Sequence, residues 1–91
     1  MDIYTQAVSK IIKQQQAIIG PIALDQAKKV PGIKVVNADT VQLSGNGKDI
    51  LGLLVHQYEG LFGRASIEVC RDAIKEMHPP VPPDQLPAIL Q

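Results

Sequence analysis

Residues 45–49, Gly-Asn-Gly-Lys-Asp, are the stretch most suggestive of phosphate chemistry, because they precede a predicted helix. A glycine turn that opens onto a helix N-terminus exposes backbone N–H groups able to bind phosphate. A P-loop, however, also requires glycine at position 42 and Ser or Thr directly after the lysine. The chain has Gln42 and Asp49 there, and the Asp49 carboxylate would repel a phosphate. We therefore interpret the stretch as a turn and a helix cap, with Ser44, Asn46 or Asp49 capping.

His56 and Glu59 lie three residues apart on one face of a predicted helix, a spacing found in metal sites of helical bundles. Such sites need further carboxylates from neighbouring helices. The matching positions of the first predicted helix hold Lys13 and Gln16, which supply none. The single cysteine and the second histidine form no zinc spacing with other residues. We therefore predict no metal and no cofactor.

Catalytic residues are equally hard to find. The chain has only two histidines, both on predicted helix surfaces, so no Ser–His–acid or Cys–His arrangement can be built. The Pro-Pro-Val-Pro-Pro run at 79–83 is interpreted as a rigid stop after a helix, with a polyproline ligand as the alternative. We predict no catalytic residues and a protein that is not an enzyme.

The chain contains an apparent internal duplication with a period of 43 residues. Residues 11–30 align without a gap on residues 54–73, and apolar, small, acidic and basic classes are largely kept. Gly20 then meets Gly63, and Ala27 meets Cys70, which indicates a small buried position for the only cysteine. The pattern predicts two copies of one helical unit.

The first unit, residues 3–30, has apolar residues at the three- and four-residue spacing of a helix, with Asp2 as its predicted N-cap. Gly20-Pro21 interrupts it. Either a new helix starts with Pro21 at its first position or one long helix kinks there. Because Arg64 occupies the position that matches Pro21 and demands no break, we favour one kinked helix.

The second unit, residues 48–77, is predicted to be one continuous helix that packs antiparallel to the first. Between the units, residues 31–47 change to β-prone residues around the turn-forming Asn37-Ala38-Asp39, which fits a short β-hairpin or an ordered loop. After them, the proline-rich tail, residues 78–91, is expected to dock a short helical turn. The fold class is therefore mainly α, in a single domain spanning residues 1–91.

The amino-acid composition limits the kinds of function that the chain can have. The chain is 45% hydrophobic but only 3% aromatic, so its core must be aliphatic. Nine basic and nine acidic residues give no net charge, which argues against a dedicated nucleic-acid binder. No apolar run approaches the roughly 20 residues of a membrane span, and the polar start resembles no signal peptide. We expect a cytoplasmic protein with neither nucleic acid nor membrane as a partner.

Residues 18–30, Ile-Ile-Gly-Pro-Ile-Ala-Leu-Asp-Gln-Ala-Lys-Lys-Val, carry a family resemblance. The segment resembles the helix with an Ile-Gly-Pro-Ile-Ala core in small accessory modules of bacterial signalling proteins, including some kinases and cyclases. The present chain departs from that pattern by standing alone, by containing the unit twice and by its insert. The resemblance implies a regulatory interaction module of bacterial signalling without turnover of its own.

Two functions remain open. The first is a helical protein-interaction module that pairs with itself, and with an unidentified protein, because two helices cannot bury both apolar faces. Pairing two such chains into a four-helix bundle would bury roughly 800 Å² per partner. The second is a small-ligand sensor, with a pocket beside Gly60 and Gly63 and residues 33–47 as its lid.

Glycines retained in both copies suggest close backbone approach at the helix crossing, because a helical glycine costs about 1 kcal/mol relative to alanine. The residues expected at the crossing and interface are Ala17, Gly20, Gly60, Gly63, Leu54, Tyr58, Leu61 and Phe62.

Overall fold

The computed structural model describes residues 3–37 and 40–91, and this part of the chain is mainly helical, as predicted. Its helices are α1 (Ile3–Ile19), α2 (Ile22–Lys28), α3 (Gly47–Phe62) and α4 (Arg64–Lys75). Strands β1 (Ile33–Asn37) and β2 (Thr40–Leu43) lie between α2 and α3, and two 3-10 turns, Pro83–Gln85 and Ala88–Leu90, follow α4. The predicted cap Asp2 and the turn residues 38–39 lie outside the described residues.

Neither predicted long helix is continuous, which corrects the expected bounds of 3–30 and 48–77. The first breaks at Gly20-Pro21 and the second at Gly63. The match of Pro21 with Arg64 does not predict these breaks, because the glycine before each of them ends the helix. The favoured kink at Pro21 is therefore wrong, and a new helix begins at Ile22 with Pro21 as the residue before it.

Each break is made by a glycine with a positive φ angle. Gly20 has φ +76° and Gly63 has φ +70°, left-handed values that residues with a Cβ rarely adopt. In each case the glycine N–H donates to the carbonyl four residues earlier, Gln16 at 2.9 Å and Glu59 at 2.7 Å. This bond is typical of a helix that ends at a left-handed glycine. Each glycine carbonyl then accepts from the residue three positions later, at 3.1 Å, and so starts the next helix.

The core is aliphatic and draws on every helix. Tyr58 is its one fully buried aromatic side chain among the described residues, and small residues such as Ala23, Ala27 and Ala73 let the helices approach. Full burial of a Val, Leu or Ile side chain stabilises the fold by about 1.5–3 kcal/mol. The remaining large buried side chains include Val8, Ile11, Ile12, Ile50, Leu51, Leu54, Val55, Ile74 and Met77.

The insert forms the β-hairpin that was predicted as one of two alternatives. Ile33 pairs with Leu43 and Val35 with Val41 in an antiparallel register, with an irregularity between Val35 and Asn37. Ile33 and Val41 are buried in the common core. An isolated hairpin is marginal in water, so packing on the helices is what stabilises this one.

The tail after α4 docks on the body, as expected from its apolar residues. Val81 and Leu90 are buried, and Leu86 and Ile89 pack partly buried against the core. The Tyr4 hydroxyl, in α1, donates to the Gln85 carbonyl at 2.8 Å and so links the tail to the first helix. Among the described helices, none combines the length and apolar character needed to span a bilayer.

Candidate functional site

The candidate site is a set of exposed apolar side chains at the two helix breaks. Ile18 is 56% exposed, Ile22 40%, Leu61 46% and Phe62 42%. Helical periodicity places all four in the predicted apolar stripes, yet the glycine breaks turn the chain and leave them in solvent. We call these four residues the corner face.

Two tertiary hydrogen bonds bring the two breaks to the same place. The Gln15 side-chain amide, in α1, donates to the Ser66 carbonyl in α4 at 3.3 Å. The Tyr58 hydroxyl, in α3, donates to the Ala23 carbonyl in α2 at 2.8 Å. Every corner-face residue lies within about one helical turn, 3–4 residues, of a partner in these bonds. Both breaks, and with them the four corner-face residues, therefore lie near the crossing of the two units.

The two bonds are related to each other by the 43-residue offset. Tyr58 lies 43 residues after Gln15, and Ser66 lies 43 residues after Ala23. The residue that comes later in the first unit, Ala23, bonds to the residue that comes earlier in the second, Tyr58. The two units therefore run antiparallel where they cross. Gln57 Nε2 adds a third bond between α3 and α2, donating to Gln26 Oε1 at 2.6 Å.

The polar groups beneath the corner face are buried and neutral. Burial raises the pKa of the Tyr58 hydroxyl well above its usual range, and the nearby Cys70 raises this pKa further. Burial also raises the pKa of the Cys70 thiol to about 11, although the Gln15 amide, 3.6 Å from Sγ, partly lowers it. A thiol held in its protonated form is a poor nucleophile. These groups therefore support the packing rather than covalent chemistry.

Charged residues bound the corner face with no excess of either sign. Residues 14–24 contain no charge, and exposed Lys13 and Asp25 stand at the two ends of this stretch. Around the second break, residues 60–63 are uncharged, with half-exposed Glu59 before them and exposed Arg64 after them. The surroundings thus contain two positive and two negative side chains.

The predicted crossing residues divide into three groups. Leu54 and Tyr58 are buried within the chain, whereas Leu61 and Phe62 are exposed on the corner face. Ala17 is also exposed. Close backbone approach at Gly20, Gly60 and Gly63 does not occur, because a Cβ built at any of them would meet no atom within 4 Å. The expectation that these glycines allow close helix packing is therefore wrong. Gly20 and Gly63 instead allow the positive φ angle at which each helix ends.

The ligand pocket was expected beside Gly60 and Gly63, with residues 33–47 as its lid. A groove does lie beside the second break, but the insert does not line it. This groove, of about 490 Å³, lies between the end of α3, α4 and the tail. Glu59, Arg64 and Ile67 contribute to its lining, and none of its lining residues belongs to the insert. His56 and Glu59 also border it and bond to each other at 3.2 Å.

The stretch that resembled a phosphate loop forms a helix cap. Asn46 has extended backbone angles, and its Oδ1 accepts from the Asp49 N–H at 3.0 Å, so Asn46 is the cap among the three candidates. Lys48 Nζ donates to the Asp84 carbonyl at 3.0 Å and fastens the tail. Across residues 3–37 and 40–91, no three His, Cys, Asp or Glu side chains cluster tightly enough to hold a metal.

Comparison of the chain with protein-family models, with curated proteins and with solved structures finds no match. The chemistry of the corner face therefore has to be inferred from its own residues.

Helical periodicity does not predict the corner face, although the sequence carries a signal for it. Gly20 is followed directly by Pro21, and proline is common just after a helix that ends at glycine. The matching Gly63 repeats the same break without a proline. Reading the glycine as a helix end in both units would have placed Ile18 and Leu61 at chain corners.

Proposed function

We propose that this protein is a non-enzymatic helical interaction module that binds protein through the corner face. The observation that carries the proposal is the exposure of four large apolar side chains, from 40% to 56%, next to the two helix breaks of a small domain. Single exposed apolar residues are ordinary, whereas a grouped apolar surface marks an interaction site.

The layout of the surface supports protein binding. Protein interfaces commonly have an apolar centre, enriched in residues such as phenylalanine, and a polar rim. The corner face has the apolar centre, with Phe62 as its aromatic member. Charged residues stand on either side of the two breaks in the sequence, namely Lys13, Asp25, Glu59 and Arg64. No catalytic group is needed for this role.

We further propose that the two helical units arose by internal duplication. The equivalent glycine breaks and the paired cross-unit hydrogen bonds support this view, because both recur at the 43-residue offset. A regulatory role in bacterial signalling, implied by the resemblance of residues 18–30, belongs to the same proposal.

The proposed function can be tested with a photo-crosslinking amino acid placed at position 61 in cells that express the protein. Position 53 is the matched control, because Leu53 lies on the same helix and is 47% exposed, against 46% for Leu61. We expect a protein adduct from position 61 and little from position 53. Equal or absent crosslinking at the two positions would contradict a docking role for the corner face.

A small-ligand sensor is the second candidate, and the groove between α3, α4 and the tail is what favours it. Its mixture of charged and aliphatic lining, including Arg64, Glu68 and Ile67, suits a small polar ligand with an apolar part. A ligand that binds the native state raises the melting temperature in proportion to the logarithm of its concentration. A thermal-shift screen against metabolites tests this candidate, with Arg64→Ala expected to abolish any shift.

A further inference from the structure

We infer that the occupant of the corner face is a second copy of this chain, bound in a two-fold symmetric dimer. This inference rests on the proposed function and names the partner of the same surface. Three features of the described residues support it: the neutral surroundings of the face, the neutral chain, and the equivalence of the two corners.

The first argument is charge complementarity. A partner of strongly acidic or basic character is recognised by an excess of the opposite charge, and like charges that face each other are costly. Charged residues of both signs flank the uncharged stretches that contain the breaks: Lys13 and Asp25 at the ends of residues 14–24, and Glu59 and Arg64 at the ends of residues 60–63. A surface with this balance carries no net charge, so two copies of it can meet without net electrostatic repulsion. The whole chain also carries no net charge, so two copies do not repel each other at long range.

The second argument is symmetry. A two-fold interface uses the same patch on both subunits, so that a residue i of one copy meets j of the other and j meets i. Ile18 and Leu61 match at the 43-residue offset, are both exposed, and each lies two residues before a glycine with a positive φ. Each corner of one copy can therefore pack on the other corner of its partner. Such a dimer contains the Ile18–Leu61 contact twice.

Sedimentation equilibrium on the purified chain tests the dimer directly. The chain has a mass of 9.9 kDa, so dimerisation is seen as a rise towards twice that mass with increasing concentration. We expect Leu61→Glu to weaken dimerisation at least tenfold, because it places a charge in the apolar centre. Leu53→Glu, at a leucine of the same helix and nearly equal exposure, should leave it unchanged. Circular dichroism on both variants excludes loss of fold as the cause.

A thiol crosslink tests the arrangement of the two copies. In a Cys70→Ala background, Ile18→Cys and Leu61→Cys proteins are mixed and treated with a short bis-maleimide, which adds one maleimide to each thiol. We expect the mixture to crosslink several-fold faster than either protein alone, and faster than a mixture containing Leu53→Cys in place of Leu61→Cys. Equal rates in all samples would overturn the corner-to-corner dimer.

The outcomes separate this inference from the proposed function. A chain that stays monomeric up to about 1 mM, the weak end of specific affinities, overturns the second copy as partner. If position 61 still crosslinks to a different protein in cells, the interaction module stands and only its partner is changed. If position 61 captures nothing in cells and the purified chain is monomeric, both proposals are wrong.

Discussion

The Tyr58 hydroxyl joins the two helical units at their crossing. It is fully buried in α3 and donates to the Ala23 carbonyl of α2, whereas its counterpart Gln15 donates from α1 to the Ser66 carbonyl of α4. A phenol and an amide thus perform the same task at equivalent positions. Both side chains can donate a hydrogen bond to a backbone carbonyl, so two chemically different residues can occupy equivalent positions of the two units.

Replacing Tyr58 by phenylalanine tests the value of this bond. We expect Tyr58→Phe to lower the free energy of unfolding by about 1–2 kcal/mol, because a buried hydrogen bond is lost while the ring stays in place. Tyr4→Phe is the matched control, since the Tyr4 hydroxyl donates to a backbone carbonyl at the same 2.8 Å but in an exposed setting. Its effect should stay within about 0.5 kcal/mol. Urea titration of both variants measures the difference.

Alkaline pH should unfold the protein through Cys70 and Tyr58. Burial raises the pKa of Cys70 to about 11, above the value of about 8.5 for an unfolded thiol. The folded state therefore holds this proton more tightly, so its contribution to stability is complete below about pH 8.5 and is lost as the pH rises towards 11. The raised pKa of Tyr58 acts in the same direction, above its ordinary value near 10.

Circular dichroism against pH checks this expectation. The Cys70→Ala variant should begin to unfold at a higher pH than the parent chain, because only the Tyr58 proton then remains linked to folding. A common onset for the two chains would show that the thiol makes no difference to alkaline stability.

At the scale of elements, the two glycine breaks decide what the helices bury. A continuous helix would keep its apolar stripe on one side, but a left-handed glycine redirects the chain within one residue. Ile18 and Ile22, around the first break, are then exposed, as are Leu61 and Phe62 before the second. The breaks thus convert residues predicted for the core into an exposed surface.

Alanine substitutions at Gly60 and Gly63 should have opposite effects on stability, although added Cβ atoms meet no neighbour at either position. Gly63→Ala should destabilise by about 1–3 kcal/mol, because φ +70° and ψ −157° are essentially restricted to glycine. Gly60→Ala, inside α3, should stabilise by about 0.5–1 kcal/mol through helix propensity. Thermal melting of both variants shows whether each substitution raises or lowers the stability. Destabilisation of equal size in both would show that packing, and not backbone conformation, determines the cost.

The sequence predicted most of the core and of the helical content, but not the corner face. Residues such as Ile11, Leu51 and Leu54 repeat at helical spacing, and their burial follows from that period. Ile18 and Leu61 fit the same period, so periodicity alone cannot separate them from the core. Their exposure depends on the dihedral angles of one following glycine, which spacing does not encode. The hairpin stayed one of two alternatives because its stability comes from tertiary packing.

At the scale of the whole molecule, the balance of charges predicts how salt affects association. The chain has nine basic and nine acidic residues, and the corner face has two of each sign beside it. Raising the ionic strength from about 0.01 M to about 1 M shortens the Debye length from about 30 Å to about 3 Å. We expect the dissociation constant of the dimer to change little over this range in sedimentation experiments. A steep rise with salt would indicate a partner selected by charge.

The hairpin segment that joins α2 to α3 also acts as a tether. The bonds between the two units connect residues 51 and 35 positions apart, so the units meet only because the chain keeps them near each other. A short flexible tether provides an effective concentration of the order of millimolar. Opening the chain between the strands would make assembly bimolecular, and at micromolar protein the two pieces would lose about 4 kcal/mol of that advantage. The intact chain folds to its monomer at a rate independent of dilution, whereas the opened one would assemble at a rate that rises with concentration.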